Sequence, residues 1–139
     1  MITPVQVLVD ADNFDVPRLR LLVAALEAAP SAEVVVAGAP AALDAVDWPA
    51  GARVLPASGW QSADLLLARA YRPDDRPLLL ATGDGDFVQL ARRHPGSVLL
   101  VAGRSRRSRA FTGPRITTTD PAADGGADLR SWLARATVL

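Results

Sequence analysis

The chain has 139 residues, half of them hydrophobic and 22% charged, and its 15 acidic side chains are balanced by 15 basic ones. That length supports one domain with a sizeable core, and a net charge of zero means that any polyanion must be held by a local patch rather than a global field. There is no cysteine and no lysine, which excludes disulfides, zinc-thiolate sites, thiol nucleophiles and Schiff-base or P-loop lysine chemistry.

In chain order, short apolar runs alternate with helical periods. Val5–Val9 reads as the first strand. Asp15 is a candidate N-cap with Pro17 in the first turn, and Leu19, Leu22, Val23 and Leu26 then recur at helical spacing. Glu33–Ala37 is the second strand, ended by Gly38-Ala39-Pro40, and Ala41–Val46 a short helix. Ala52–Pro56 is the third strand. Ser62–Tyr71 is a Leu/Ala-rich helix with Ser62 as its N-cap. Pro77–Ala81 is the fourth strand, and Phe87, Leu90 and Ala91 mark the inner face of the helix after it. Ser97–Ala102 is the fifth strand. Residues 103–126 are the least regular part, with Asp124-Gly125-Gly126 as loop, before a last helix marked by Leu129, Trp132, Leu133 and Ala136. Strands alternating with helices imply a parallel sheet with right-handed crossovers, in one domain over residues 1–139. No apolar run approaches the ~20 residues that span a bilayer, and the N-terminus lacks a secretory pattern, so a cytoplasmic location without membrane partners is expected.

The acids are unevenly placed. Asp10 and Asp12 close the run Val7-Leu8-Val9, and Asp84 and Asp86 close Leu78-Leu79-Leu80-Ala81-Thr82-Gly83. Runs that are apolar on both faces read as buried parallel strands, and ligands of open α/β sheets bind outside the carboxyl ends of such strands. Two carboxylates at 4 Å repel by about 4 kcal/mol at an effective dielectric near 20. A cation or a shared proton is what relieves such repulsion, and an oxygen-only ligand set suits Mg²⁺ or Mn²⁺. Asp64 stands in the first turn of the third helix, whose N-terminus faces the same edge. Each of these residues also has a structural reading: Asp12, Asn13 and Asp15 as turn formers and caps, Asp64 as a complement to the helix dipole, and one of Asp84 and Asp86 as a cap. Arg104, Arg106, Arg107 and Arg109, with Arg115 beyond, follow the fifth strand with no acid among them. They are the candidate grip on nucleic-acid phosphates, against a solvated loop. His94 past a helix C-terminus reads as structural, and Trp60 as packing or as a platform for a base.

Together these residues resemble a known family. Val7-Leu8-Val9-Asp10-Ala11-Asp12-Asn13-Phe14 is similar to the opening motif of NYN domains, a branch of the PIN-like nucleases. Ser62-Ala63-Asp64-Leu65-Leu66-Leu67-Ala68 resembles their central helix motif. Ala81-Thr82-Gly83-Asp84-Gly85-Asp86-Phe87 resembles their S/T-G-D-x-D-F signature, and Ser108-Arg109-Ala110-Phe111 a weaker later one. The resemblance implies a three-layer α/β/α sandwich with a five-stranded, mainly parallel sheet ordered 3-2-1-4-5. It also implies a Mg²⁺- or Mn²⁺-dependent ribonuclease that leaves a 5′-phosphate and a 3′-hydroxyl, with single-stranded RNA as the expected substrate. It carries metal-site roles onto Asp10, Asp64, Asp84 and Asp86, with Asn13 as a polar partner in the catalytic group. Where many members have a second acid on the central helix, this chain has Ala68-Arg69-Ala70.

Two other readings stay open. One is a module of the same fold that binds nucleic acid or protein without turnover, supported by the missing helix acid. Under either reading of the fold, a homodimer or a fused or partner domain is a further expected partner. The other is a haloacid-dehalogenase-like phosphatase, which shares Asp-x-Asp at a strand end. That class needs a basic residue, usually lysine, at the phosphate, and its later motif differs from Gly83-Asp84-Gly85-Asp86.

Overall fold

The computed structural model describes residues 4–29, 32–58, 62–83, 87–102 and 113–137. Its strands are β1 (Gln6–Asp10), β2 (Glu33–Gly38), β3 (Arg53–Pro56), β4 (Leu78–Ala81), β5 (Val98–Val101) and β6 (Ile116–Thr119). They form one sheet in the order β3-β2-β1-β4-β5-β6, and every ladder is parallel. The helices are α1 (Val16–Glu27), α2 (Pro40–Leu43), α3 (Ala63–Ala70), α4 (Val88–Arg93), α5 (Pro121–Asp124) and α6 (Ala127–Ala136).

The burial of each strand follows its place in the sheet. β1, β4 and β5 are buried throughout because helices cover both of their faces, as parallel strands require. Alternation then sorts their side chains into two cores. Val7, Val9, Leu79, Ala81, Leu99 and Val101 meet Leu22 and Leu26 of α1 and Leu129, Trp132 and Leu133 of α6. Leu8, Leu78, Leu80, Val98 and Leu100 meet Ala63 and Leu67 of α3 and Phe87 and Ala91 beside and on α4. The result is the expected three layers.

The sheet has one strand more than the five expected, and β6 falls inside the stretch read as irregular. Its sequence Ile-Thr-Thr-Thr carries the β-branching that favours strands but no apolar run. Among the described residues it pairs only with β5, and Thr117 and Thr118 are exposed, so hydrophobic periodicity has nothing to register. Asp124-Gly125-Gly126 is not plain loop either: Asp124 ends α5, and both glycines take left-handed backbone, at φ +66° and +86°, to turn into α6. The other boundaries agree with the sequence reading to within a few residues. α2 is shorter than expected, and Ser62 holds the N-cap position of α3 without a side-chain bond to the helix.

Because every strand runs the same way, the residues before the strands share the opposite, amino edge. His94 is fully buried there, with Nε2 at 2.6 Å from the Arg76 carbonyl and Nδ1 at 2.7 Å from the Tyr71 hydroxyl. The carbonyl can only accept, so Nε2–H donates to it, and in the neutral ring the Tyr71 hydroxyl donates to Nδ1. This is a structural histidine, as the sequence suggested. Arg76 also holds Asp74 and Glu33, and its hydrogen bond keeps the Asp74 carboxyl below its ordinary range. Gly96 lies so close to this loop that a Cβ would stand 2.6 Å from the carbonyl oxygens of Asp75 and Arg76. Arg115 belongs to this edge too: it precedes β6 and donates to the Pro95 carbonyl at 2.9 Å. It therefore leaves the positive patch expected at the carboxyl edge.

Candidate functional site

The order β3-β2-β1-β4-β5-β6 places a topological switch point between β1 and β4: the chain builds outward from β1 to β3, then returns to the other side. Ligands of open α/β sheets bind in the crevice at such a point, outside the carboxyl ends of the strands. Asp10 is the last residue of β1. It is 6% exposed and shares the parity of Leu8, the α3 side of the sheet. Thr82 follows the last residue of β4 on the same parity and is fully buried.

Asn13 joins the two strand ends. A single turn of 3-10 helix, Ala11–Asn13, follows β1 and brings the Asn13 side chain back over it. Its Nδ2 donates to Asp10 Oδ2 at 2.7 Å and to Thr82 Oγ1 at 3.3 Å. The Asp12 amide donates to the other oxygen, Asp10 Oδ1, at 3.2 Å. Both oxygens of a nearly buried carboxylate are thus oriented by donors.

Asp12 has a different task. Its carboxylate accepts from the Ala39 amide at 2.9 and 3.2 Å, closing the end of β2 onto the turn after β1. A Cβ on the neighbouring Gly38 would meet Ala11 Cβ at 3.1 Å and Asp12 Oδ1 at 3.3 Å, so the approach needs glycine there. The structural reading of Asp12 holds, and so does that of Asp15, whose Oδ1 caps the Arg18 amide at 3.0 Å.

Asp64 stands in the first turn of α3, next to buried Ala63. A crossover helix begins where its preceding strand ends, so Asp64 is brought to the carboxyl edge. Alongside it runs a groove of about 390 Å³ lined by Ser62, Asp64, Leu65, Ala68, Phe87 and Leu90. Asp64 is half-buried on the flank of α3 that shares this groove with Phe87 and with Leu90 of α4.

A second polar group lies further along the same edge. Arg18 donates to Asp120 through Nε at 2.9 Å and Nη2 at 3.0 Å, and to Asp15 through Nη1 at 2.7 Å. Asp120 follows β6 and caps α5 through the Ala122 amide. The Arg18 hydrogen bond holds the Asp120 carboxyl below its ordinary range, against a partial desolvation that raises it. This bidentate pair ties the last strand to α1, and nothing in the sequence pattern announced it, because the partners are 102 residues apart.

Of the sequence-derived site residues, Asp10, Asn13 and Asp64 are described; Asp84, Asp86, Arg104, Arg106, Arg107 and Arg109 lie outside the described residues, as does Trp60. Asp10 and Asn13 are in contact, and Thr82 joins them. Among the described residues no three His, Cys, Asp or Glu side chains gather closely enough to hold a metal ion. Nor is any described helix long and apolar enough to cross a membrane. Compared with protein families, with curated proteins and with solved structures, the chain matches none of them.

Proposed function

We propose that the chain is a Mg²⁺- or Mn²⁺-dependent nuclease acting on single-stranded RNA, with Asp10, Asp64, Asp84 and Asp86 as its acidic centre. The observation that carries this reading is the buried Asp10 carboxylate at the switch point, with donors on both oxygens and an amide that links it to Thr82. The linkage matters because Asp84 and Asp86 follow Thr82 by two and four positions in the sequence. A strand end that carries one acid and a strand end that leads to two more are held together by one side chain.

The donor chemistry fits a hard divalent cation: oxygen only, with no thiolate in the chain and its one imidazole buried at the opposite edge. A bound ion would supply the charge that polarises a phosphoryl oxygen and acidifies a water. The chain's own contribution is preorganisation. Asn13 fixes the rotation of the Asp10 carboxylate at the switch point. Asp64 adds a carboxylate from the helix layer on the side of the sheet that Asp10 faces, beside a largely apolar groove. The arginines at 104, 106, 107 and 109 complete the reading as the grip on the backbone. A cytoplasmic setting belongs to the same proposal.

The test is incubation of the protein with labelled single-stranded RNA and DNA, with Mg²⁺, with Mn²⁺ and with chelator, beside Asp84→Asn. RNA cleavage by the wild type that needs the cation and is lost in Asp84→Asn supports the reading. Binding without cleavage under either metal moves the chain to the non-catalytic alternative, and metal-independent cleavage equal in both proteins refutes the acidic centre.

A further inference from the structure

A groove of about 450 Å³ runs along the other flank of α3, between that helix and edge strand β3. Its walls carry three arginines, Arg53 of β3, Arg69 of α3 and Arg72 just past the helix. All three are exposed, and none of their guanidinium groups pairs with an acid among the described residues. Of the acids on the neighbouring edge, Glu33 and Asp74 are held by Arg76, and Asp75 is exposed outside the groove lining. The residues lining the groove include no carboxylate. Between the arginines the surface is half-buried and apolar: Leu55, Leu66 and the ring of Tyr71. That ring is fixed, because its hydroxyl is bound to the buried His94.

We propose that this groove holds backbone phosphates of single-stranded RNA, with a ribose or base against the Tyr71, Leu55 and Leu66 wall. Three unpaired guanidinium groups around one cavity are complementary to successive phosphates, and their planar forks match phosphate oxygens. A polyanion is the occupant that charge selects. The neighbouring apolar wall favours one with flat or sugar-like groups over bare phosphate, as in sequence-tolerant strand binding. The location favours a strand that continues to the acidic edge. Asp64 and Arg69 lie on the same helix, about 7.5 Å apart along its axis at 1.5 Å per residue. A strand leaving the acidic edge would cross the outer face of α3, where Leu65 is 39% exposed, to reach the groove. Arg69 stands where the sequence departs from the acid-bearing pattern of the central helix, and here that departure has a use: grip in place of a further acid. The inference rests on the nuclease reading for the path of the strand, and on the groove alone for the binding.

The test is fluorescence anisotropy with a fluorescein-labelled oligouridylate in chelator, over a range of salt. The proteins are the wild type, Arg53→Gln/Arg69→Gln/Arg72→Gln, and Arg20→Gln/Arg135→Gln as a control for loss of positive charge on the opposite layer. Each phosphate contact contributes about 0.7 to the slope of log affinity against log salt for a single strand, so the triple variant should lose about 2 units of slope. Its Kd at 0.1 M salt should rise at least tenfold, while its melting temperature and the control's Kd stay at the wild-type value. Wild-type affinity in the triple variant overturns the proposal, and so does an equal loss in the control. Absence of wild-type RNA binding, or groove-dependent binding to phosphatidylserine vesicles instead, also overturns it. Cleavage is read separately in Mn²⁺: a wild type that cleaves while the triple variant binds normally keeps the nuclease reading and removes the groove. A wild type that binds through the groove and never cleaves does the reverse.

Discussion

Replacing Asn13 with alanine isolates the side chain that joins the two strand ends. The variant loses the donor at 2.7 Å from Asp10 Oδ2 and the longer contact at 3.3 Å to Thr82 Oγ1. A hydrogen bond to a charged group contributes about 1.5–3 kcal/mol, and here the lower end applies because Asn13 itself is exposed to water. The contact to Thr82 is long enough to add no more than about 0.5 kcal/mol. The sum is about 2 kcal/mol, or roughly 6–8 °C in Tm for a chain of this size. Urea denaturation in chelator should show that loss as a lower midpoint at unchanged m-value. A double-mutant cycle with Asp10→Asn should return a coupling of about 1.5 kcal/mol, since the two residues touch. A loss below about 0.5 kcal/mol, the scale of ordinary surface changes, would show that the amide does not hold the carboxylate, and the preorganisation argument would fail with it.

Gly96→Ala should be severely destabilising, by about 2–4 kcal/mol, because its Cβ would sit 2.6 Å from two carbonyl oxygens and the backbone must move; an unchanged thermal melt would refute that packing. Asp12→Ala should cost about 1 kcal/mol in the same assay, as the Ala39 amide loses its acceptor, while Mn²⁺ affinity stays within about twofold because Asp12 serves the turn and not the crevice. Asp120 has its folded-state pKa depressed, so the Arg18 pair stabilises the fold above the ordinary carboxylate range and that contribution is lost as pH falls through the folded-state value. The Tm difference between wild type and Asp120→Asn should therefore be largest near neutral pH and close at acid pH, and a difference that grows on acidification would reverse the sign of the argument.

The parts of this fold that were legible in the sequence are those written in continuous apolar runs and helical periods. β1, β4 and β5 announce themselves because they are buried on both faces, and α1 because Asp15, Pro17 and the leucine stripe agree. β6 was hidden because an edge strand of threonines needs no hydrophobic pattern to pair with β5. Asp10 could be singled out because an acid that closes a core strand is costly without a role, whereas the choice for Asp12 between turn and crevice could only be resolved by finding the Ala39 amide on its carboxylate. Arg115 was misplaced for a topological reason: without β6, the chain after β5 has no second return to the amino edge. The arginine groove was unreadable for a similar reason. Arg69 and Arg72 are close in sequence at the end of α3, but only the crossover that sets α3 against β3 adds Arg53 to them.

The central claim is that Asp10 belongs to a divalent-cation site at the β1–β4 switch point, and Mn²⁺ binding measured by calorimetry on the full chain tests it most directly. Wild type, Asp10→Asn and Asp64→Asn should be compared at one pH, with Asp12→Ala as the neighbouring acid that faces elsewhere. The account predicts Mn²⁺ binding by the wild type and by Asp12→Ala, and an affinity at least tenfold weaker for Asp10→Asn, with a smaller loss for Asp64→Asn. Equal Mn²⁺ affinity in wild type and Asp10→Asn, or no binding by the wild type, would contradict it.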